Sequence, residues 1–111
     1  MAISADLLRG YTDTILLRRL EGGDSYGYRI AKEISEISDG NLDLKEATLY
    51  TAFRRLESAG CISSYWGDEA TGARRRYYTI TEAGRARLEE DINAWFETRR
   101  IMDRLIKEEE Q

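Results

Sequence analysis

Residues 45–66 read KEATLYTAFRRLESAGCISSYW, and two different periods meet inside them. From about Lys45 to Ala59, Leu49, Phe53 and Leu56 recur at helical spacing. At roughly 100° per residue, Ala47, Thr48, Thr51, Arg54 and Arg55 fall on the other side of that helix. Gly60 is its expected stop. Beyond it, Cys61–Trp66 and Arg75–Ile80 are rich in aromatic and β-branched residues and predict two strands. Gly67 to Ala73 form a hairpin tip longer than a two-residue turn.

Upstream, Leu7, Leu8, Tyr11, Ile15, Leu16 and Leu20 predict one helix over about Ser4–Leu20. Gly22-Gly23-Asp24-Ser25 ends it and offers Asp24 or Ser25 as the N-cap of a second helix. Tyr26, Ile30, Ile34 and Ile37 form the apolar stripe of that helix, and the Ser38–Asn41 cluster turns the chain. Downstream, Thr81 and Glu82 open a helix without a breaker after Gly84, running to about Ile106. The order helix, helix, helix, hairpin, long helix predicts a mainly α fold with a small β-hairpin. This is a winged helix-turn-helix with a long C-terminal dimerisation helix. One domain is expected, with residues 1–81 as the winged part and 82–111 as the C-terminal helix.

The chain has 111 residues, 17 Lys+Arg against 21 Asp+Glu, one Cys, no His and no Pro. Without His, Ser-His and Cys-His nucleophilic chemistry is excluded, and no metal-ligand cluster can be assembled at the usual spacing. The densest carboxylates, Glu89-Glu90-Asp91, read as a solvated helix face. Neither an enzyme nor a cofactor site is expected. No apolar run approaches the ~20 residues of a membrane span, and the first residues lack a secretory pattern. The expectation is a cytoplasmic binding protein with no membrane partner.

The net charge of −4 hides an uneven distribution. Residues 1–44 carry five basic and eight acidic side chains, and residues 88–111 carry four and eight. Residues 45–87 reverse the balance, with eight basic and five acidic. Screening confines each charge to roughly 8–10 Å, so this basic island can meet a polyanion despite the acidic total. Thr48 and Thr51 permit close approach to a groove, and Arg54 and Arg55 can pair with guanine or phosphate. Arg74, Arg75 and Arg76 begin the second strand, where alternation sends side chains to both faces and at least one toward a phosphate. The alternative use of such charge is protection of a strand edge. Lys45 is a further candidate contact, although Glu46 beside it repels phosphate. Cys61 falls in an apolar pattern and reads as a buried small residue sooner than as a redox sensor.

In the last helix, Leu88, Ile92, Trp95, Met102 and Ile106 follow a coiled-coil-like seam with Arg99 in the missing slot. Leu105 and Phe96 widen that stripe. A homodimer through this helix would present two reading helices to a palindromic site on double-stranded DNA.

Several short motifs occur in order: Tyr26-Gly27-Tyr28-Arg29-Ile30, Ala47-Thr48-Leu49-Tyr50, Arg55-Leu56-Glu57 with Gly60, Arg76-Tyr77-Tyr78, and Thr81-Glu82-Ala83-Gly84. Together, over about residues 7–106, the chain resembles the PadR family of bacterial transcriptional regulators. The run from Glu46 to Glu69 is most similar to its small, single-domain branch, which includes a lactococcal multidrug-binding repressor. The resemblance implies a dimeric repressor of a nearby promoter, and for Tyr50 either a backbone contact or a packing role. It also implies a pore between the two copies, where facing Trp95 indoles sandwich a planar aromatic ligand. Leu7, Thr14, Leu17, Asp91, Phe96 and Arg99 would line it by position. The drug-binding relative has a carboxylate at the position of Arg99, a small apolar residue at Asp91 and a small polar one at Phe96. The expected effector is therefore flat and apolar or anionic, such as a phenolic compound, and the alternative is that none binds. The competing function is a winged-helix protein-interaction module that does not bind DNA.

Overall fold

The computed structural model describes residues 3–67 and 74–108, apart from the side chains of Ala5 and Leu7. The tip residues 68–73, the tail residues Glu109 and Glu110, and the Leu7 side chain expected in the pore therefore lie outside the described residues. The element order is α1 (Ala5–Leu8), α2 (Thr12–Glu21), β1 (Ser25–Tyr26), α3 (Gly27–Ile37), α4 (Glu46–Ser58), β2 (Ile62–Trp66), β3 (Arg76–Ile80) and α5 (Glu82–Lys107). The fold is mainly helical with a small antiparallel sheet and a long last helix.

Two expected elements differ. The first helix is broken, because Gly10 adopts a φ of +91° that a helix cannot contain and that only glycine takes without steric cost. Asp24 and Ser25 do not cap α3. Ser25 and Tyr26 instead form a two-residue strand, too short to show any period, opposite Tyr78 and Tyr77. The sheet thus has three strands in the order β1-β3-β2. Its hairpin register sets Ile62 against Ile80, Ser64 against Tyr78 and Trp66 against Arg76.

The core lies where α2, α3, α4 and the sheet meet. Leu16 and Leu20 of α2, Ile30 and Ile34 of α3, and Leu49, Phe53 and Leu56 of α4 are all buried in it. Phe53 stacks on Tyr78 of β3, with ring centres 4.0 Å apart. Ile37 is exposed, so the stripe of α3 ends one turn early. Cys61 is a free, buried thiol. Leu17 and Leu88, expected in the pore and the dimer seam, are core residues instead, 0% and 1% exposed. Periodicity marks which face of a helix is apolar, but not whether that face meets its own chain or a second copy.

The junction between wing and last helix explains the Thr81-Glu82-Ala83-Gly84 motif. The Thr81 hydroxyl donates to the Gly60 carbonyl (2.6 Å) and accepts the Gly84 amide (3.0 Å), capping α5. The Thr81 amide donates to the Cys61 carbonyl. Gly84 lies so close that a Cβ there would be driven into the Cys61 carbonyl oxygen, and it would also meet Ile80 at 2.8 Å. We expect Gly84→Ala to cost about 1–3 kcal/mol in urea unfolding, through overpacking against backbone that cannot swing aside. Unchanged stability would mean that this contact is not tight.

Candidate nucleic-acid interface

On α4 the buried side is Leu49, Ala52, Phe53 and Leu56, which leaves Thr48, Thr51, Arg54 and Arg55 on the exposed side. Lys45, the N-cap residue, and Glu46 are exposed at its start. Arg54 reaches back to the Thr51 hydroxyl at 3.4 Å, so the guanidinium lies along the helix surface. Arg55 does not join it. Its guanidinium grips both oxygens of Asp13 on α2, with Nε donating to Oδ2 at 3.0 Å and Nη2 to Oδ1. Its side chain stays about half exposed, beside Thr48 and Thr51, so the pair with Asp13 anchors Arg55 at the α2 edge of that face.

Arg87 of α5 donates to the same Asp13 carboxylate at 3.1 Å and is paired with Asp91 at 3.6 Å. Asp91 also accepts the Thr14 hydroxyl at 2.9 Å. One ionic chain, Arg55–Asp13–Arg87–Asp91–Thr14, therefore links α4, α2 and α5. Burial would raise the pKa of Asp13, but the hydrogen bonds and charges of Arg55 and then Arg87 outweigh it and hold the carboxyl below its ordinary value.

All three wing arginines are exposed. Arg74 and Arg76 lie over Trp66, 5.3 and 5.9 Å from the ring centre, and Arg75 lies over Tyr26 at 4.6 Å. Arg76 is further held by the Ser64 hydroxyl at 2.8 Å and by Glu57 at 3.5 Å. Indole and phenol faces thus splay the three guanidiniums without neutralising them. Tyr65 donates to Asp24 at 2.6 Å, tying the wing to the start of α3. Between α4 and the wing runs a cleft of about 640 Å³ whose lining includes Arg54, Arg74, Arg75, Arg76, Tyr50 and Tyr78.

A second, largely apolar groove of about 510 Å³ lies between the N-terminal region and α5, lined by residues that include Tyr11, Ile15, Trp95, Arg99 and Met102. Trp95 meets Tyr11 edge-on at 5.3 Å. Of the expected ligand residues whose side chains are described, only Trp95 and Arg99 line this groove. Thr14 and Asp91 satisfy one another, Leu17 is buried, and Phe96 is exposed outside it. Ile92 packs partly on the core, whereas Trp95, Met102, Leu105 and Ile106 remain exposed, as does Ile101, which the seam did not include. Among the described residues no group of metal-ligating side chains occurs, and no helix is long and apolar enough to cross a membrane.

Sequence reasoning missed Asp13, although a charge three, four and seven residues ahead of Leu16, Leu17 and Leu20 was a readable signal of a buried ion pair. It also missed Tyr78, whose role rests on the wing register.

Comparison with known proteins places this geometry. The transcriptional regulator PadR-like family model matches residues 16–90. A transcriptional regulator from Clostridium thermocellum is 44% identical, superposes with a TM-score of 0.84, and is covered over 97% of its length by 90% of this chain. A PadR family transcription regulator from Clostridium difficile is 37% identical, with a TM-score of 0.78 and coverage of 87% of this chain and 99% of its own. Bacillus subtilis PadR, solved in complex with operator DNA, is 22% identical with a TM-score of 0.68. That match covers 75% of this chain and 47% of that one, and it speaks for the fold alone.

Removing the charge at Asp13 should loosen three helices at once. We expect Asp13→Asn to cost about 1–3 kcal/mol at pH 7, less than a fully buried pair because Arg55 is half-exposed. The folded carboxyl titrates below its ordinary value of 3.8. Its contribution is therefore complete above about pH 4 and lost as the pH falls through the depressed value. Urea unfolding of both proteins from pH 7 downward checks this: the gap should narrow in acid, and a constant gap would contradict it.

Proposed function

The chain belongs to the PadR-like family of transcriptional regulators, and from that premise we propose that it is a homodimeric repressor that binds a palindromic operator through α4 and the wing. The observation that carries this reading is the convergence of Arg54 with Arg74, Arg75 and Arg76 on one exposed cleft. Four cations facing the same space suit a polyanion, and Thr48 and Thr51 beside Arg54 suit close approach to base edges. The operator complex of Bacillus subtilis PadR supports the same use of this fold.

Dimerisation runs through the outer half of α5. Leu105 and Ile106 are 68% and 71% exposed and continue the apolar face of Trp95 and Met102. A stripe of this size on a protruding helix favours a second copy. Two reading heads held at fixed separation then match half-sites about one helical turn of DNA apart. The groove at Trp95 would admit a planar aromatic effector, apolar or anionic where Arg99 meets it, although Asp103 also stands in the wall. A ligand there alters the α5 contact and with it the separation of the heads, which lowers operator affinity. On this reading the protein acts in the cytoplasm, as a member of a drug-responsive, single-domain branch of the family.

Binding to DNA from its own promoter, titrated with KCl, tests the reading. Selective binding that weakens steeply with salt is expected, and its absence would point to a protein-interaction module. In sedimentation at micromolar concentration, a Leu105→Glu/Ile106→Glu variant should shift from dimer to monomer and lose at least tenfold in operator affinity. In a Trp66→Phe background, Trp95 fluorescence should be quenched by a planar anionic or neutral dye. Quenching only by a cationic dye would refute the role given to Arg99.

A further inference from the structure

Tyr78 is 4% exposed, and its ring is clamped face to face on Phe53. Its hydroxyl has no hydrogen-bond partner among the described residues. Among those residues no wholly buried side-chain oxygen or nitrogen lacks a partner, so this hydroxyl must reach the cleft between α4 and the wing, whose lining includes Tyr78. A phenylalanine would fill the stack equally well. Held rigid and reaching the cleft, this phenol is a fixed donor for whatever occupies that space.

Tyr50 repeats the arrangement from the opposite wall. Its ring meets Phe53 edge-on, and its hydroxyl carries no internal hydrogen bond. That hydroxyl lies over the start of α3: a Cβ at Gly27 would be only 3.2 Å from it. No side chain caps α3 at Tyr26, and Tyr26, Gly27 and Tyr28 at its positive end line the same cleft. Arg54 stands on the neighbouring face of α4. Glu57, the only carboxylate among the residues lining the cleft, is bonded to Ser64 and paired with Arg76.

We propose that this cleft seats one backbone phosphate of the bound duplex, held by the hydroxyls of Tyr50 and Tyr78 and the first amides of α3, with Arg54 as its cation. The inference rests on the DNA-binding reading above. A winged helix puts its reading helix in one groove and its hairpin beside the flanking backbone, so a strand of phosphates passes between them, where this cleft lies. The grip is built mainly from neutral donors on rigid elements. It fixes register and adds affinity for any sequence, while contributing little to counterion release.

The test uses the intact protein, a duplex of about 30 base pairs from its own promoter, and a scrambled duplex of equal length. Tyr78→Phe and Tyr50→Phe should each weaken binding of both duplexes by about tenfold, the scale of a hydrogen bond to a charged group. The salt slope should stay at the wild-type value, and melting should confirm the intact stack. Arg54→Met should instead lower the slope by about one. Neutral methylphosphonates introduced one at a time into the promoter duplex should reveal one position at which Tyr78→Phe costs nothing further. If wild-type protein binds its promoter selectively and both phenylalanine variants match it, the phosphate seat is wrong and the DNA-binding reading survives. If wild-type protein binds neither duplex, the DNA-binding reading itself has failed. If Tyr78→Phe leaves DNA binding intact but abolishes displacement of the protein by benzoate, the cleft is an effector pocket and the proposal is overturned.

Discussion

A single buried carboxylate organises this molecule. Asp13 sits on the leucine face of α2, 8% exposed, where an unpaired charge could not survive. It is kept ionised by two guanidiniums arriving from different elements, Arg55 of α4 and Arg87 of α5. Hydrophobic burial is non-directional, so it holds these helices together without the angular preference of a hydrogen bond. A bidentate arginine is not indifferent, since it accepts one angle and one depth. α4 and α5 are therefore fixed relative to one another through a residue of α2.

That constraint explains why two neighbouring arginines of α4 have different employments. Arg54 and Arg55 are adjacent in sequence and are separated by about 100° around the helix. One lies over the exposed Thr51 and the other turns toward α2. The exposed side of α4 thus has one of its two arginines held by an internal carboxylate. The wing supplies the balance with three guanidiniums spread over Trp66 and Tyr26. A chain of net charge −4 can present a cationic face in this way because its acidic residues are concentrated before residue 45 and after residue 87.

Much of this architecture is legible in the residues themselves. The stripe of Leu49, Phe53 and Leu56, the stop at Gly60, the two aromatic strands and the cap at Thr81 each rest on a local pattern strong enough to survive tertiary context. What is not legible has no local pattern. A two-residue strand such as Ser25-Tyr26 has no period, and its existence depends on Tyr77 and Tyr78 some fifty residues later. The break at Gly10 is visible as a glycine, but the apolar spacing runs through it, and only the left-handed φ settles the matter. Leu17 and Leu88 belong to apolar faces, as their spacing indicates, yet their partner is their own core, because a helical stripe is silent about which chain covers it. Asp13 is hidden for the opposite reason. It is a charge amid leucines, and its two counterions lie 42 and 74 residues away.

The same ionic chain bears on how the two halves of the molecule communicate. Beyond Asp13 it continues through Arg87 and Asp91 to Thr14, so it stitches α2 to α5 immediately before Trp95. Tyr11, the N-cap residue of α2, and Ile15 within it line the apolar groove with Trp95 and flank Asp13 and Thr14 in sequence. A displacement of Trp95 against Tyr11 must either move α2 with it or break the Thr14–Asp91 and Asp13–Arg87 contacts. Breaking them parts a hydrogen bond and an ion pair whose arginine is partly exposed, whereas moving α2 shifts a helix whose Leu16, Leu17 and Leu20 are buried in the core. Either way, the Trp95–Tyr11 contact is linked mechanically, through Asp13, to Arg55 on α4.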